Sequence, residues 1–212
     1  MAPVSLAFQF QCIYTSVYAL NYFFKRNEFK AFSSALSIHR VIAAQDDTLP
    51  DIIRPSVPFL PPGVVAAEVV TQLSGLAFFT GMCTGKYPPP PIGAVLNFWP
   101  AEFEAGRAVF EGEPLAGFYN PIGSVHGSYA AALLDSCMGC AVHTKMAAGQ
   151  AYATLEYKIS LVRGMTDRTG RVRAEGKVLQ VGRRVATAEG RLTDTTGRLL
   201  AHGTSTCLVF EV

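Results

Sequence analysis

The stretch from Ser124 to about Met146, SVHGSYAAALLDSCMGCAVHTKM, is apolar nearly all round and rich in alanine. A helix with no polar face cannot lie on a protein surface with one side in water, so the rest of the chain must enclose it. From Pro114 through Thr144, Asp135 is the only residue that carries a formal charge at neutral pH. A carboxylate among alanines and leucines resists ionising unless a partner offsets its burial. The chain therefore has to wrap a helix and also give one aspartate a reason to be inside.

The material for the wrapping is strand-like. Residues 92–113 alternate in polarity, with Ala105-Gly106 as a turn, which predicts a hairpin. Pro100 within it predicts an edge strand or a bulge. After Gly149 the period is two to the end, in four runs bounded by glycine or polar turns. Two strands, a buried helix and four strands give an α+β fold, an antiparallel sheet of about six strands wrapped around one long buried helix. Ahead of it, VPFLPPGVV at 57–65 holds three prolines and a glycine and predicts a linker. Residues 1–62 are read as an N-terminal extension and 63–212 as the folded domain. Apolar spacing over 66–83, before TGKYPPPP, predicts an extra N-terminal helical segment with a proline stop.

Half of the 212 residues are hydrophobic and 16% are charged, so the folded unit is expected to hide surface by self-association or at a membrane. A net charge of +2 with no lysine-arginine block disfavours nucleic acid. Five scattered cysteines, an odd number, point away from a disulfide framework and towards a reducing, cytoplasmic setting. Cys137 and Cys140 form a C-x-x-C pair, but redox pairs work at a helix N-terminus and these lie deep in the helical pattern, where packing is the better reading. No metal-ligand spacing is present, and no cofactor is expected. Residues 1–24 are uncharged and aromatic, followed by Lys25 and Arg26, so membrane association of this segment stays open. Its polar interruptions weaken a spanning reading, and a signal peptide would carry its positive charge first.

Asn120, Gly123, His126, Gly127 and Asp135 stand in a pattern N-x-x-G-x-x-H-G followed by a helical L-L-D. Together with GRLLAHGTSTCLVF near the C-terminus, this resembles the PaaI-like (phenylacetate-pathway) hotdog acyl-CoA thioesterases of the 4-hydroxybenzoyl-CoA thioesterase superfamily, over residues roughly 90–209. The resemblance implies the hotdog fold, hydrolysis of an acyl-CoA with coenzyme A only as part of the substrate, and active sites at the interface of a homodimer, often in a dimer of dimers. One position departs from the pattern: Ser128 stands where the family has a second glycine.

His126 and Asp135 are nine residues apart, so on one helix they lie about 180° apart around it and about 13.5 Å apart along it. If both serve one reaction they must meet across a two-fold axis. The first N–H groups of a helix have no intrahelical acceptor and sit at the positive end of its dipole, which suits the Gly127 N–H to polarise a thioester carbonyl. Asp135 would act as general base toward water or attack the carbonyl itself. Asn120 would hold the carboxylate or the water, His126 would bond near the thioester or fix the loop, and Thr154 would add a hydroxyl. Against these roles stand blander ones: Asp135 hydrogen-bonded to a neighbouring strand or paired across a dimer, Asn120, Gly123 and Gly127 as turn residues, His126 as a structural histidine, Thr154 as an ordinary strand residue.

Residues 151–198 hold ten basic against five acidic side chains, a surplus suited to the phosphates of coenzyme A, and Arg183 and Arg184 at a strand-to-strand turn are the preferred contacts. Trp99, Phe118, Tyr119 and Met138 would line an acyl pocket or belong to the core. Two other functions compete with hydrolysis: a non-enzymatic acyl-CoA-binding module of the same fold, and a dehydratase acting on hydroxyacyl thioesters.

Overall fold

The computed structural model describes residues 52–212, and the expectations for residues 1–51 lie outside it. Three short helices come first, α1 (Ala67–Val70), α2 (Gly75–Cys83) and α3 (Pro91–Val95). The hairpin β1 (Phe98–Glu104) and β2 (Arg107–Gly112) follows, then the long helix α4 (Gly127–His143). Four strands complete the chain: β3 (Gln150–Leu161), β4 (Val172–Val181), β5 (Val185–Asp194) and β6 (Leu199–Glu211). All pairings are antiparallel, in the spatial order β1-β2-β4-β5-β6-β3. This is the hotdog arrangement, six strands around one helix.

The helix is buried as its composition requires. Tyr129, Ala130, Leu133, Leu134, Cys137, Met138, Ala141 and Val142 are each at most 1% exposed, and burying one large apolar side chain of this kind contributes roughly 1.5–3 kcal/mol. Two glycines let the helix sit against the sheet. Gly176 and Gly190 face each other across β4 and β5. A Cβ on Gly176 would run into the Cys137 carbonyl, and one on Gly190 would meet Met138 and Leu134 at about 3 Å. Their missing side chains form the trough in which the middle of α4, one turn either side of Cys137, is seated.

Pro100 lies on an edge strand, and the register of β1 against β2 shifts between Pro100 and Glu102, so the proline marks a bulge. The expected single helix over 66–83 is two helices, broken at Leu73-Ser74, where the Ser74 side chain caps α2 by accepting from the Ala77 N–H. Ile53, which the boundary expected at 63 leaves in the extension, packs on the sheet. Ile53 exchanges backbone hydrogen bonds with Phe103 at 2.7 and 2.9 Å and is 3% exposed. Phe79 of α2 stacks on Phe103 with ring centroids 4.1 Å apart. The free edge of β1 is thus partly capped by preceding chain, whereas β3 at the opposite edge has no strand beside it among the described residues. No helix of the described residues is long and apolar enough to cross a membrane.

Candidate active site

The loop ahead of α4 folds on itself before it delivers the helix. Tyr119 bridges Val125, the Asn120 N–H donates to Ser124 O at 2.8 Å, and the His126 N–H donates to Phe118 O at 2.8 Å. Gly123 has φ +84°, the left-handed conformation that this turn needs and that favours glycine. Asn120 is engaged wholly inside the turn: its Nδ2 donates to Ser124 Oγ at 2.9 Å, and its Oδ1 accepts from the N–H groups of Ile122 and Ser124 at 3.1 and 3.2 Å. The structure therefore gives Asn120 and Gly123 the work of shaping the loop, and brings neither into contact with Asp135.

What the loop presents is the start of α4. His126 is its N-cap, with Nδ1 accepting the Ser128 N–H at 3.1 Å. Gly127 is the first helical residue, and its N–H donates to none of the described residues. A Cβ at Gly127 would lie 2.6 Å from Leu161 Cδ1, so the end of β3 leans against the helix mouth.

Asp135 lies two turns further along α4, on the side facing β3. Its Oδ1 accepts a hydrogen bond from the Thr154 hydroxyl at 3.2 Å, and no other side chain of the described residues bonds the carboxylate. Thr154 reaches it by ordinary alternation from Tyr152, whose hydroxyl lies 2.9 Å from where a Cβ on Gly139 would be, and a bulge follows between Thr154 and Glu156, opposite Cys207 and Thr206. Burial pushes the carboxyl pKa up from the ordinary aspartate value, and the Thr154 hydroxyl partly offsets this. The surroundings are thiols and a phenol rather than cations. Cys140 is driven up to about 12, first by burial and then by the charge of Asp135. Cys137 and Tyr152 are raised well above their usual values for the same first reason. Burial disfavours the thiolate of both cysteines, and they lie inside the helix rather than at its N-terminus, which favours packing over the redox reading of the C-x-x-C pair.

Along one helix, eight residues from Gly127 to Asp135 span about 12 Å, so the donor at the mouth and the carboxylate in the middle do not meet within one chain. Among the described residues no three histidine, cysteine or acidic side chains gather as a metal site.

Arg183 and Arg184 sit at the β4–β5 turn beside a cavity of about 350 Å³ also lined by Gln180, Gly182, Val185 and Thr187. They form no ion pair among the described residues, whereas Arg171, Arg173, Lys177 and Arg198 of the same basic surplus are bound to carboxylates. A second, apolar cavity of about 260 Å³ opens near the β1 edge, with Phe59, Pro62, Pro90, Phe98, Trp99 and Phe110 in its wall. Of the side chains expected to line an acyl pocket, Trp99 does face this cavity. Met138 is core, Phe118 stacks on Tyr129 at 5.3 Å, and the Tyr119 hydroxyl donates to Asp167 at 2.8 Å. Leu161 and Tyr152 were not legible as site neighbours, because each touches the helix only across the sheet.

Residues 122–201 match the family model described as the thioesterase superfamily. Among solved structures, a thioesterase related to phenylacetic acid degradation from Ralstonia eutropha is 27% identical, with a TM-score of 0.57 over 62% of this chain and 98% of that one. A substituted form of the phenylacetic acid degradation protein PaaI from Thermus thermophilus is also 27% identical, with a TM-score of 0.51 over 56% of this chain and 97% of that one. A Streptococcus mutans protein bound to acetyl-CoA shares the fold at 23% identity, with a TM-score of 0.50 over 54% of this chain and 90% of that one. No curated protein matches the chain. Over residues 122–201 the sequence is similar to the thioesterase superfamily, and the architecture of the domain is similar to that of PaaI-type proteins.

Proposed function

We propose that this protein is an acyl-CoA thioesterase, hydrolysing its substrate to a free acid and coenzyme A, with Asp135 of one subunit and the Gly127 N–H of another serving one site. The observation that carries the reading is Asp135 itself: a half-buried carboxylate in mid-helix, made more basic by burial, with a single hydroxyl for company. Asp194, by contrast, draws four hydrogen bonds from Thr196 and Arg198.

The two halves are joined by the open edge of the sheet. On β3, Leu155, Tyr157 and Leu161 are 59%, 46% and 59% exposed, apolar side chains on a strand whose outer edge is free, which invites a second copy. An isologous pairing of β3 with β3 about a two-fold axis would give two equivalent sites. Each would take Asp135 and Thr154 from one chain and the start of α4 from the other.

In such a site the thioester carbonyl accepts from the Gly127 N–H, which stabilises the oxyanion as the carbonyl carbon becomes tetrahedral; one donor of this kind is worth about 3–4 kcal/mol. Asp135 either takes the proton of an attacking water or attacks the carbonyl to form an anhydride that water then opens. In both routes the collapse expels the coenzyme A thiolate, which is protonated to leave as thiol. The Thr154 hydroxyl orients the carboxylate, and Arg183 and Arg184 are the proposed contacts for the coenzyme A phosphates.

The test is release of free thiol from short, medium, long and aryl acyl-CoAs by the protein and its Asp135→Asn and Asp135→Ala variants. A fall of at least about a hundredfold in both variants, the scale of a lost general base, supports the reading. Acyl-CoA that binds without turnover would identify a binding module instead.

A further inference from the structure

The serine that stands in place of the family's glycine is bonded to the histidine before it. His126 Nδ1 accepts the Ser128 backbone N–H at 3.1 Å, and the Ser128 hydroxyl lies 2.8 Å from the same nitrogen. A backbone N–H can only donate, so Nδ1 must present its lone pair. A neutral imidazole with a bare Nδ1 carries its proton on Nε2. The hydroxyl beside Nδ1 then also donates to it. Nε2 has no hydrogen-bond partner among the described residues, and the His126 side chain is exposed at the helix mouth.

We propose that Ser128 is a positioning residue that holds His126 in the Nε2–H tautomer, so that a second N–H donor stands beside that of Gly127 at the start of α4. The inference rests on the hydrolase reading for its consequence, though not for its geometry. A glycine at 128 would supply the backbone N–H but no hydroxyl, so the doubled hold on Nδ1 is a property of serine at this position. For the reaction the tautomer matters by sign. An Nε2–H strengthens its interaction as negative charge develops on the thioester, whereas a bare Nε2 would repel it.

The experiment uses the full chain, with Ser128→Ala to remove the hydroxyl and keep the N–H, and Ser128→Thr to restore a hydroxyl. Long-range proton–nitrogen correlation of the His126 ring is recorded where the ring is neutral, alongside kcat and KM on the best acyl-CoA. The wild type should show a pyridine-type Nδ1 and a pyrrole-type Nε2. Ser128→Ala should shift both nitrogens towards averaged values, and Ser128→Thr should return them. With one neutral hydrogen bond lost, kcat should fall about three- to tenfold while KM stays within about twofold, and the threonine variant should recover it. A protonated Nδ1 in the wild type, or the same ring nitrogens in wild type and Ser128→Ala, overturns the proposal. If the wild type turns over no acyl-CoA, the hydrolase reading fails, and the ring spectra still decide the tautomer.

Discussion

Asp135 and Asp194 are both sheltered from solvent and are treated in opposite ways. At the β5–β6 turn, Asp194 Oδ1 accepts from the Thr196 N–H and hydroxyl at 2.9 and 2.6 Å and from the Arg198 N–H at 3.1 Å, and Oδ2 accepts from Arg198 Nε at 2.9 Å. These donors, the Thr196 hydroxyl foremost, hold its pKa well below the usual carboxylate range. Asp135 has one hydroxyl and a buried setting, and its pKa is raised. The first is what a structural aspartate looks like, with its charge fully answered by a turn. In the second, burial disfavours the charged form and one hydroxyl only partly offsets it, the setting expected of the carboxylate in the proposed reaction.

The largest effect that would sharpen this contrast is at Asp135. Asparagine there should lower kcat by about a hundredfold or more, the loss expected of a general base, and should raise Tm at neutral pH. The sign follows from the raised pKa. The native state holds the proton more tightly than the unfolded chain, so the contribution of Asp135 to stability is full below the ordinary aspartate pKa and is lost as pH rises through the higher native value. The Tm advantage of Asp135→Asn should accordingly vanish in acid, as thermal melts from pH 3 to 8 would show.

Next comes the proposed oxyanion donor. Gly127→Pro removes its N–H at a helix position where proline is favoured, and the extended His126 backbone ahead of it, φ −62° and ψ 138°, accommodates a following proline. Activity should fall about a hundred- to a thousandfold with the far-ultraviolet spectrum unchanged, since only the exposed Leu161 side chain has to move aside. A smaller effect is expected at Thr154→Val. Without the hydroxyl that partly offsets burial, the acid limb of the pH–rate profile should move to higher pH, with kcat at neutral pH reduced by about two- to tenfold.

The smallest effect on activity belongs to Asp194→Asn, which should leave kcat and KM unchanged and lower Tm. Its stabilisation is present above the ordinary aspartate pKa and lost as pH falls through that value towards the depressed native one, so mutant and wild type should converge in acid. A loss of activity at Asp194 equal to that at Asp135 would break the contrast.

Most of the fold was legible because it rests on periods. The helix expected over 124–146 runs from Gly127 to His143, the four period-two runs after Gly149 are β3 to β6, and Pro100 sits at a bulge on an edge strand. What periods do not carry is contact between elements. The trough of Gly176 and Gly190, the Thr154 hydroxyl bonded to Asp135, and Ile53 bridging Phe103 depend on which element lies beside which. The site divides likewise. Asp135 stood out by its charge, since nothing else from 114 to 144 has one. Asn120 could be read as catalyst or turn from the same four residues, and the hydrogen bonds around it are those of a turn. Ser128 read as a lost glycine and is in fact bonded to His126.

The central claim is that one site is built from two chains, and mixing two inactive variants tests it most directly. Asp135→Asn keeps its helix start and Gly127→Pro keeps its carboxylate, so a mixed dimer has one site with both intact groups and one with neither. Unfolding the two together and refolding them at equal amounts should restore about a quarter of wild-type thiol release, because half of the dimers are mixed and each has one working site. No recovery, with mixed dimers shown to be present, would place both groups in the same chain's site and contradict the account.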